Sequence, residues 1–250
     1  LLIWRASKFD LVHVCDSGNA LYKFLLPFTP TLVTCHDLGA IRAAMGEDTS
    51  CPPTAFGKLL QRMIKFGLER SEHIACVSEA TLLDLRRILS RAGKKDDEVI
   101  PSAIESVFVE LDEPTKEKRL VRFPDLDRRR PFVLHIGSSH MRKNREAVIK
   151  SFAKVKDAFD GQLVFVGEKL NQSLLDLLKE YEVEDRTLEL GQVNDEELAA
   201  LYGSAHVLAF PSYFEGFGWP PLEAQACGCP VISSNRSSLP EILDASAPLV

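Results

Sequence analysis

Two glutamates eight residues apart are the side chains in this sequence best suited to bind a sugar. Glu215 and Glu223 flank a segment that contains Gly216, Gly218 and two prolines. A carboxylate accepts hydrogen bonds from two hydroxyls at once, which suits polyols. Glycines permit tight turns, and proline is typical of a first helical turn, whose unpaired N–H groups favour anions. The pattern predicts a ligand that is part sugar and part diphosphate.

A second candidate group follows an apolar run that ends at residue 136. Gly137 comes first, and Arg142, Lys143 and Asn144 complete the turn. Glycine lets the backbone approach a ligand, and adjacent Arg and Lys can neutralise a diphosphate, the Arg by bidentate hydrogen bonds. We expect Lys143 at an exposed edge. A solvated basic turn before a helix has the same composition, so the residues alone leave both interpretations open.

Three other interpretations of the glutamates also remain open. Glu223 falls in the first turn of a predicted helix, where the helix dipole favours any carboxylate by about 0.3–1 kcal/mol. Gly216 and Gly218 resemble half of a dinucleotide fingerprint, but no third glycine follows and prolines occupy the turn. Paired glutamates also occur in glycosidases, an interpretation that makes no use of Arg142 and Lys143.

The scaffold for these candidates is predicted by short apolar runs that alternate with helical patterns. Such alternation is typical of doubly wound parallel α/β sheets, in which ligands bind beyond the carboxyl ends of the strands. The predicted strands are 11–14, 31–34, 74–77, 132–136, 163–166, 187–190, 206–210 and 230–233, and the predicted helices are 56–70, 81–89, 145–159, 173–181, 195–205 and 221–226, with a last helix starting at 238. Ser78 and Asp195 are predicted N-caps, and Gly228 a helix stop.

The chain is expected to contain two domains. Pro101, Pro114 and Pro124, together with runs of charge, interrupt the apolar periodicity between them. We therefore predict a first domain at 1–120, a linker at 121–130 and a second domain at 131–250.

Charge and cysteine usage exclude several classes of protein. Of the 36 acidic and 30 basic side chains, 17 acidic and 10 basic ones lie in residues 131–250, which argues against a nucleic-acid surface. The six cysteines (Cys15, Cys35, Cys51, Cys76, Cys227 and Cys229) form no CxxC pair, and four lie in apolar runs, as buried free thiols do. This indicates a reducing compartment. No apolar run approaches the ~20 residues that span a bilayer.

One predicted helix carries several basic residues on its surface. Lys58, Arg62, Lys65 and Arg70 all lie within 56–70. A basic helix can contact a membrane surface, but the solvated face of a packed helix is the interpretation that the sequence favours.

Beyond these residue arguments, the chain resembles a known family. The Glu-x7-Glu motif in EGFGWPPLEAQACGCPV follows FPSYF, and VLHIGSSHMRKN and LGQVNDEELAALYGSAHV lie upstream. Residues 131–250 resemble the retaining glycosyltransferases of family four, which have the GT-B fold, almost continuously. LVTCHDL at 32–38 and RSEHIACVSEATLLDL at 70–85 resemble the family's acceptor domain more loosely.

The resemblance implies a fold and a role for each matching residue. The fold would be two Rossmann-like doubly wound domains facing across a cleft, with the first domain incomplete. Arg142 and Lys143 would hold the donor diphosphate, and Glu215 the transferred sugar. The remaining implied site residues are Gly137 and the backbone of Phe217 and Gly218 at the donor, Glu223 on the ribose, Val193 at the base, and His36 near the reacting sugar.

The sequence also departs from the family pattern. The family's first strand and Gly-rich loop have no counterpart here, Asn-Gly-Ile-Asp reads Ser102-Ala-Ile-Glu105, and GDAA reads Asp244-Ala-Ser-Ala247. We therefore expect a sequence truncated at both ends, with an intact donor site and an incomplete acceptor site.

Together these observations predict a retaining hexosyltransferase, with mannosyl transfer included, that acts in polysaccharide biosynthesis. The donor would be a GDP- or UDP-linked sugar and the acceptor a saccharide or a lipid-linked one. No metal and no cofactor beyond this donor are expected, because Arg142 and Lys143 supply the positive charge. The location would be cytoplasmic, with peripheral membrane contact left open. The alternatives are a sugar-nucleotide epimerase and a noncatalytic nucleotide-sugar-binding protein of the same fold.

Overall fold

The chain divides into two structural units. The structure is a computed structural model that describes residues 8–26, 28–47, 49, 53–90, 97–243 and 248, so Cys51 and the departure at 244–247 lie outside the described residues. The first unit contains the residues up to Ser102 together with Phe214–Phe217. The second contains Ala103–Tyr213 and the residues from Gly218 onward.

The first unit is built on a parallel sheet with the strand order β1-β2-β3-β4. The strands are β1 (Val12–Val14), β2 (Thr31–Cys35), β3 (His73–Cys76) and β4 (Asp97–Val99), and the helices are a 3₁₀ helix (Ser17–Leu25), α1 (Gly39–Ala44), α2 (Ala55–Arg70) and α3 (Glu79–Ile88). The first three strands agree with the predicted apolar runs to within one residue. The sequence analysis did not predict β4, the 3₁₀ helix or α1.

Local sequence accounts for how these elements pack. Val33 and Cys35 of β2 point into the core beside Ile74 and Cys76 of β3, as the alternation of side chains along a strand requires. The predicted N-cap Ser78 is confirmed, since its hydroxyl accepts a hydrogen bond from the Thr81 N–H at 3.1 Å.

An ion pair between a buried lysine and a partly exposed glutamate fixes the 3₁₀ helix to the sheet. Lys23 is buried, and its Nζ lies 2.9 Å from Glu72 Oε2. Glu72 also accepts hydrogen bonds from the N–H and the hydroxyl of Thr31, each at 2.9 Å. Burial opposes the charged carboxylate, but the hydrogen bonds from Lys23 and Thr31 outweigh it and lower the pKa of Glu72 to about 2.

The second unit is a doubly wound parallel sheet in the strand order β7-β6-β5-β8-β9. Its strands are β5 (Phe132–Gly137), β6 (Gln162–Gly167), β7 (Thr187–Gly191), β8 (Val207–Phe210) and β9 (Val231–Ser233). Its helices are α4 (Glu113–Leu120), α5 (Arg145–Val155), α6 (Gln172–Glu180), α7 (Asp195–Ser204), α8 (Trp219–Ala226) and α9 (Leu239–Ile242). Two 3₁₀ turns lie at Met141–Lys143 and Glu184–Arg186. Every strand predicted after residue 130 is present. This order reverses between β5 and β8, so the predicted Rossmann-like topology is confirmed.

The predicted linker at 121–130, and with it the domain boundary there, is wrong. The second unit begins at Ala103, so the predicted first domain, 1–120, is too long. Phe123 and Leu126 are buried in the core of the second unit, and Arg122 donates to Glu197 at 2.8 Å. The charged run around Pro114 is the helix α4, because proline is tolerated in the first helical turn.

The other helix ends in the second unit agree only in part with the predictions. Asn194, rather than Asp195, is the N-cap of α7, and it forms a reciprocal capping box with Glu197. Gly228 follows α8 with φ +77°, as predicted for a helix stop. None of the helices in the described part of the chain is long and apolar enough to cross a membrane.

Candidate functional site

Two loops of the second unit lie at the point where its strand order reverses. One begins at Gly137, the last residue of β5, and extends to residue 144, and the other follows β8 and begins at Pro211. The strands β5 and β8 are neighbours in the sheet. In doubly wound sheets the crevice at such a reversal, beyond the carboxyl ends of the strands, is where ligands bind.

The loop after β5 depends on a glycine at its start. Gly137 has φ +151°, and a Cβ built on it would lie 3.1 Å from Lys143 Cδ. The Lys143 stem therefore packs across the glycine, and its ammonium lies 4.6 Å from the centroid of the Phe210 ring. Lys143 is only 7% exposed, so the prediction of an exposed edge is wrong. The missing side chain of Gly137 provides the room for its burial.

Arg142 and Asn144 tie this loop to the one after β8. The Arg142 carbonyl accepts a hydrogen bond from the Tyr213 N–H at 2.8 Å. The Asn144 side-chain amide donates to the Pro211 carbonyl at 3.1 Å. Asn144 itself has φ +53°, a left-handed conformation that asparagine tolerates better than most residues, and it precedes α5 directly. Arg142 is itself partly exposed, so the geometry places one cation at the surface beside the buried Lys143.

Arg145 is a structural part of this site that sequence reasoning missed. Its side chain is buried at 3% exposure and donates to the carbonyls of Gly137, at 2.5 Å, and of Glu168, at 2.8 Å. Burial lowers the pKa of the Arg145 guanidinium, while the carboxylates of Glu168 and Glu189 oppose that shift. The arginine thus joins the loops after β5 and β6.

Glu223 has a buried partner that the sequence analysis did not select. The Tyr202 hydroxyl, on α7, donates to Glu223 Oε2 at 3.0 Å. Burial raises the pKa of Glu223, the hydrogen bond from Tyr202 opposes this, and the charge of Asp195 adds to it. A tyrosine among buried Leu and Ala on a helix needs a hydrogen-bond partner for its hydroxyl. The position of Tyr202 in the predicted helix was therefore the feature of the sequence that could have indicated a buried polar partner.

The helix that carries Glu223 begins earlier than predicted. It starts at Trp219, with Gly218 as its N-cap at φ +108°, rather than at Pro221. Glu223 therefore lies beyond the first turn, where the helix dipole no longer favours a carboxylate strongly. A side chain at Gly218 would be strained, because L residues rarely adopt φ +108° and a Cβ there would also displace Ile242 Cδ1, 2.6 Å away. The helix-start interpretation of Glu223 is weakened accordingly.

Glu215 belongs to the first unit together with its neighbours 214–217. The Gly216 carbonyl accepts hydrogen bonds from Ser78 Oγ at 2.6 Å and Thr81 Oγ1 at 3.2 Å. Gly216 also has no room for a Cβ, because the His36 carbonyl oxygen occupies that space. Glu215 is 7% exposed. Ser78 and Thr81 thus fix the backbone next to Glu215.

His36 forms a hydrogen bond to the backbone of the first unit. Its Nε2 lies 3.0 Å from the Cys15 carbonyl oxygen. Because a carbonyl only accepts, Nε2 carries the proton in this hydrogen bond. The structure thus brings His36 and Glu215 into one unit, and Gly137, Arg142, Lys143 and Glu223 into the other.

The remaining predicted site residues, Phe217, Gly218 and Val193, are buried or partly buried. Phe217 is 6% exposed, and Val193 is partly buried against the core of the second unit. Backbone contacts by Phe217 and Gly218, and a base contact by Val193, stay predictions. Among the described residues, no three His, Cys, Asp or Glu side chains cluster as metal ligands.

Comparison with curated proteins finds relatives that transfer or couple sugars. The chain is 28% identical over 189 residues to N-acetyl-alpha-D-glucosaminyl L-malate synthase of Bacillus anthracis, covering 74% of this chain and 47% of that protein. It is 28% identical over 185 residues to an O-antigen chain mannosyltransferase of Salmonella typhimurium, covering 74% of this chain and 48% of the relative. The chain thus spans about half the length of these relatives.

Solved structures share the fold. Sucrose-phosphate synthase from Thermosynechococcus elongatus superposes with a TM-score of 0.75 at 27% identity, covering 93% of this chain and 57% of its own. Anabaena HepE, solved in complex with UDP and glucose, gives a TM-score of 0.78 at 17% identity over 100% of this chain and 66% of its own. Both neighbours are α/β proteins of the GT-B fold, which is the fold of this chain.

The family assignment rests on the second unit. Residues 117–247, just over half of the 250-residue chain, match the family described as glycosyl transferases group 1. These residues include both loops at the reversal of the sheet and the Glu215–Glu223 pair. The chain therefore belongs to the group 1 glycosyl transferases.

Proposed function

We propose that this chain transfers a hexosyl group from a nucleotide-diphosphate sugar to a hydroxyl acceptor, with retention at the anomeric carbon. The observation that carries the proposal is the pair of loops at the reversal of the second sheet. Hydrogen bonds from the Tyr213 N–H to the Arg142 carbonyl and from the Asn144 amide to the Pro211 carbonyl fix the backbone on either side of Lys143. Fixed cations at this edge of a doubly wound sheet are suited to a diphosphate.

The buried ammonium of Lys143 has a specific use in this scheme. A charge placed in advance in a partly desolvated site stabilises a developing anion more strongly than a solvated one. Lys143 and Arg142 would act on the diphosphate as it leaves, and the positive charge they supply makes a metal ion unnecessary.

Glu223 is assigned to the ribose. Its carboxylate is held by Tyr202 through one oxygen, and a carboxylate has lone pairs for several donors. Ribose hydroxyls would donate to it. We assign Glu215 to hydroxyls of the transferred hexose and His36 to the neighbourhood of the reacting carbon, as the resemblance implies.

The reaction step exchanges one C–O bond for another. The acceptor hydroxyl oxygen attacks the anomeric carbon on the face from which the diphosphate departs, and the bond from that carbon to the phosphate oxygen breaks. The hydroxyl proton passes to the departing phosphate oxygen. The products are the glycosylated acceptor and a nucleoside diphosphate.

The relatives suggest which substrates to test first. Two curated relatives are O-antigen chain mannosyltransferases, and a solved neighbour of the same fold is bound to UDP-glucose. GDP-mannose and UDP-glucose are therefore the first donors. Saccharide and lipid-linked hydroxyls are the first acceptors, in line with a role in polysaccharide biosynthesis.

The test follows release of the nucleoside diphosphate and the configuration of the product. Each donor is incubated with the acceptors, with and without EDTA, and the anomeric configuration is read by NMR. We expect release that EDTA does not abolish and a product with the donor's configuration. Conversion of the donor without release would indicate an epimerase. Binding with neither release nor conversion would indicate a noncatalytic binder, and either result overturns the proposal.

A further inference from the structure

The outward side of α2 carries an exposed row of apolar side chains. Phe56, Leu59 and Met63 are 74%, 55% and 43% exposed. Their spacing places them on one side of the helix. Ile64 and Leu68 of the same helix are buried in the core of the first unit, so this second apolar row is not needed for packing that core. We call Phe56, Leu59 and Met63 the apolar row.

Basic side chains border the apolar row. Lys58, Arg62 and Arg70 are all exposed. The single acidic side chain of α2, Glu69, is paired with Lys65 at 2.5 Å. Within the described part of the chain, neither Lys58 nor Arg62 forms an ion pair. The exposed side of α2 is therefore apolar along its middle and cationic along its border.

The neighbouring 3₁₀ helix extends this surface. It packs closely on α2, because the Ala20 carbonyl occupies the space where a Cβ on Gly67 would lie. Next to this contact, Phe24 stacks on Phe66 with ring centroids 5.0 Å apart, and Phe24 is itself 45% exposed. The Arg70 guanidinium lies 3.3 Å from the centroid of the Phe66 ring. Aromatic rings covered by a cation thus continue the apolar row onto a second element.

We propose that this side of α2 is a membrane-docking face that lies in the plane of an anionic bilayer. Helices of this kind bury apolar side chains among the lipid headgroups, while Lys and Arg extend to the phosphates. The inference concerns where the first unit binds and does not depend on which sugar the chain transfers.

The charge of the face favours a bilayer over a second copy of the chain. A two-fold interface brings the same patch of each copy together. The cations Lys58, Arg62 and Arg70 of one copy would then face those of the other, and like charges repel. An anionic lipid surface complements the same three cations. The chain as a whole has a formal charge of −6, so attraction to such a surface must come from a local basic face.

Vesicle sedimentation of the 250-residue chain tests the proposal. Phosphatidylcholine vesicles with and without phosphatidylglycerol separate an anionic surface from a neutral one. We expect binding to the anionic vesicles that weakens with salt. Lys58→Gln with Arg62→Gln should weaken it about 30-fold, since each Lys or Arg near such a surface contributes roughly 5-fold. Leu59→Gln with Met63→Gln should abolish it at any salt concentration.

Two matched controls lie on α3, outside the docking face. Leu83, which is 64% exposed, is the control for an apolar side chain, and Arg86 for a basic one. Leu83→Gln and Arg86→Gln should leave vesicle binding unchanged, and circular dichroism should show that all variants fold. Equal binding by α2 and α3 variants, or no binding to anionic vesicles, overturns the proposal. A dimer in light scattering that Leu59→Gln with Met63→Gln dissociates overturns it in favour of a protein interface.

Discussion

Replacing Glu223 with glutamine removes a half-buried negative charge and keeps the shape of the side chain. The Tyr202 hydroxyl can donate to the glutamine carbonyl as it does to the carboxylate at 3.0 Å. The variant therefore separates the charge of Glu223 from its packing, which an alanine substitution does not.

The expected loss of affinity follows from the kind of hydrogen bond. A hydrogen bond to a charged acceptor contributes about 1.5–3 kcal/mol and a neutral one about 0.5–1.5 kcal/mol. With two ribose hydroxyls as donors, the difference is about 2–3 kcal/mol, or roughly a 30- to 150-fold rise in Kd. We expect this rise for a nucleoside diphosphate and for its sugar derivative alike.

Calorimetry with UDP, GDP and their 2′-deoxy forms measures the effect. The wild-type chain should bind the 2′-deoxy forms more weakly than the ribonucleotides. For Glu223→Gln, the difference in Kd between the ribonucleotide and its 2′-deoxy form should be far smaller. Glu180→Gln, at an exposed position of α6, is the matched control. An unchanged Kd for Glu223→Gln, or full discrimination retained by it, would refute the assignment of this carboxylate to the ribose.

Glu223→Gln should weaken nucleotide binding but stabilise the fold at neutral pH. Burial raises the pKa of Glu223 in the folded chain above the ordinary range of a glutamate; the Tyr202 hydrogen bond opposes this rise and the charge of Asp195 adds to it. Between the unfolded and folded pKa values the folded state binds more protons, so the free energy of unfolding falls as pH rises through that window. Glu223→Gln should therefore raise the Tm at neutral pH and give no gain below the ordinary pKa of glutamate. A lower Tm at neutral pH would contradict this sign.

Four further substitutions test separate parts of the structure. Lys143→Met, with exposed Lys179→Met as its control, should lower kcat by roughly 10²–10³ while the Tm stays nearly constant, and normal turnover would rule out its catalytic role. Arg145→Met leaves two loop carbonyls without their donor and should lower the free energy of unfolding by about 2–4 kcal/mol in urea titrations. Glu72→Gln should lower the Tm at neutral pH, because the charged carboxylate of Glu72 stabilises the fold. The difference in Tm between the variant and the wild-type chain should disappear as the pH falls through about 2, the depressed pKa of Glu72. A difference in Tm that persists in acid would be inconsistent with the ion pair. Ser78→Ala should cost about 1 kcal/mol as a lost N-cap, whereas Ser78→Thr should restore most of it in the same measurement.

Sequence reasoning predicted the strands whose burial produces a continuous run of apolar residues. The strands of the second unit are runs such as Leu163–Val166, buried on both faces, and parallel strands of that kind read as continuous apolar stretches. The strand β4 has no such apolar run, because Asp97 and Glu98 fill two of its three positions. The helix α4 was missed for a related reason, since Leu120 is its one buried side chain.

The candidate site was predicted by residue type but not by environment. Arg142, Lys143 and Glu223 were selected because their chemistry suits a nucleotide sugar. Whether a lysine is buried depends on distant partners, here the missing side chain of Gly137 and the ring of Phe210. The assignment of Glu215 to the first unit likewise comes from contacts with Ser78 and Thr81, more than 130 residues away in sequence, which no local pattern encodes.

The hydrogen bonds that join the loops after β5 and β8 have a consequence for how the proposed donor would bind. The Tyr213 N–H and the Asn144 side-chain amide join these loops by hydrogen bonds within the chain itself. A flexible phosphate-binding loop loses conformational entropy when its ligand binds, at a cost of about 1–2 kcal/mol per residue. In this chain that entropy is lost during folding. Under the proposed function, the diphosphate would meet loops that are already ordered, so the free energy of its contacts would go into affinity rather than into ordering the loops.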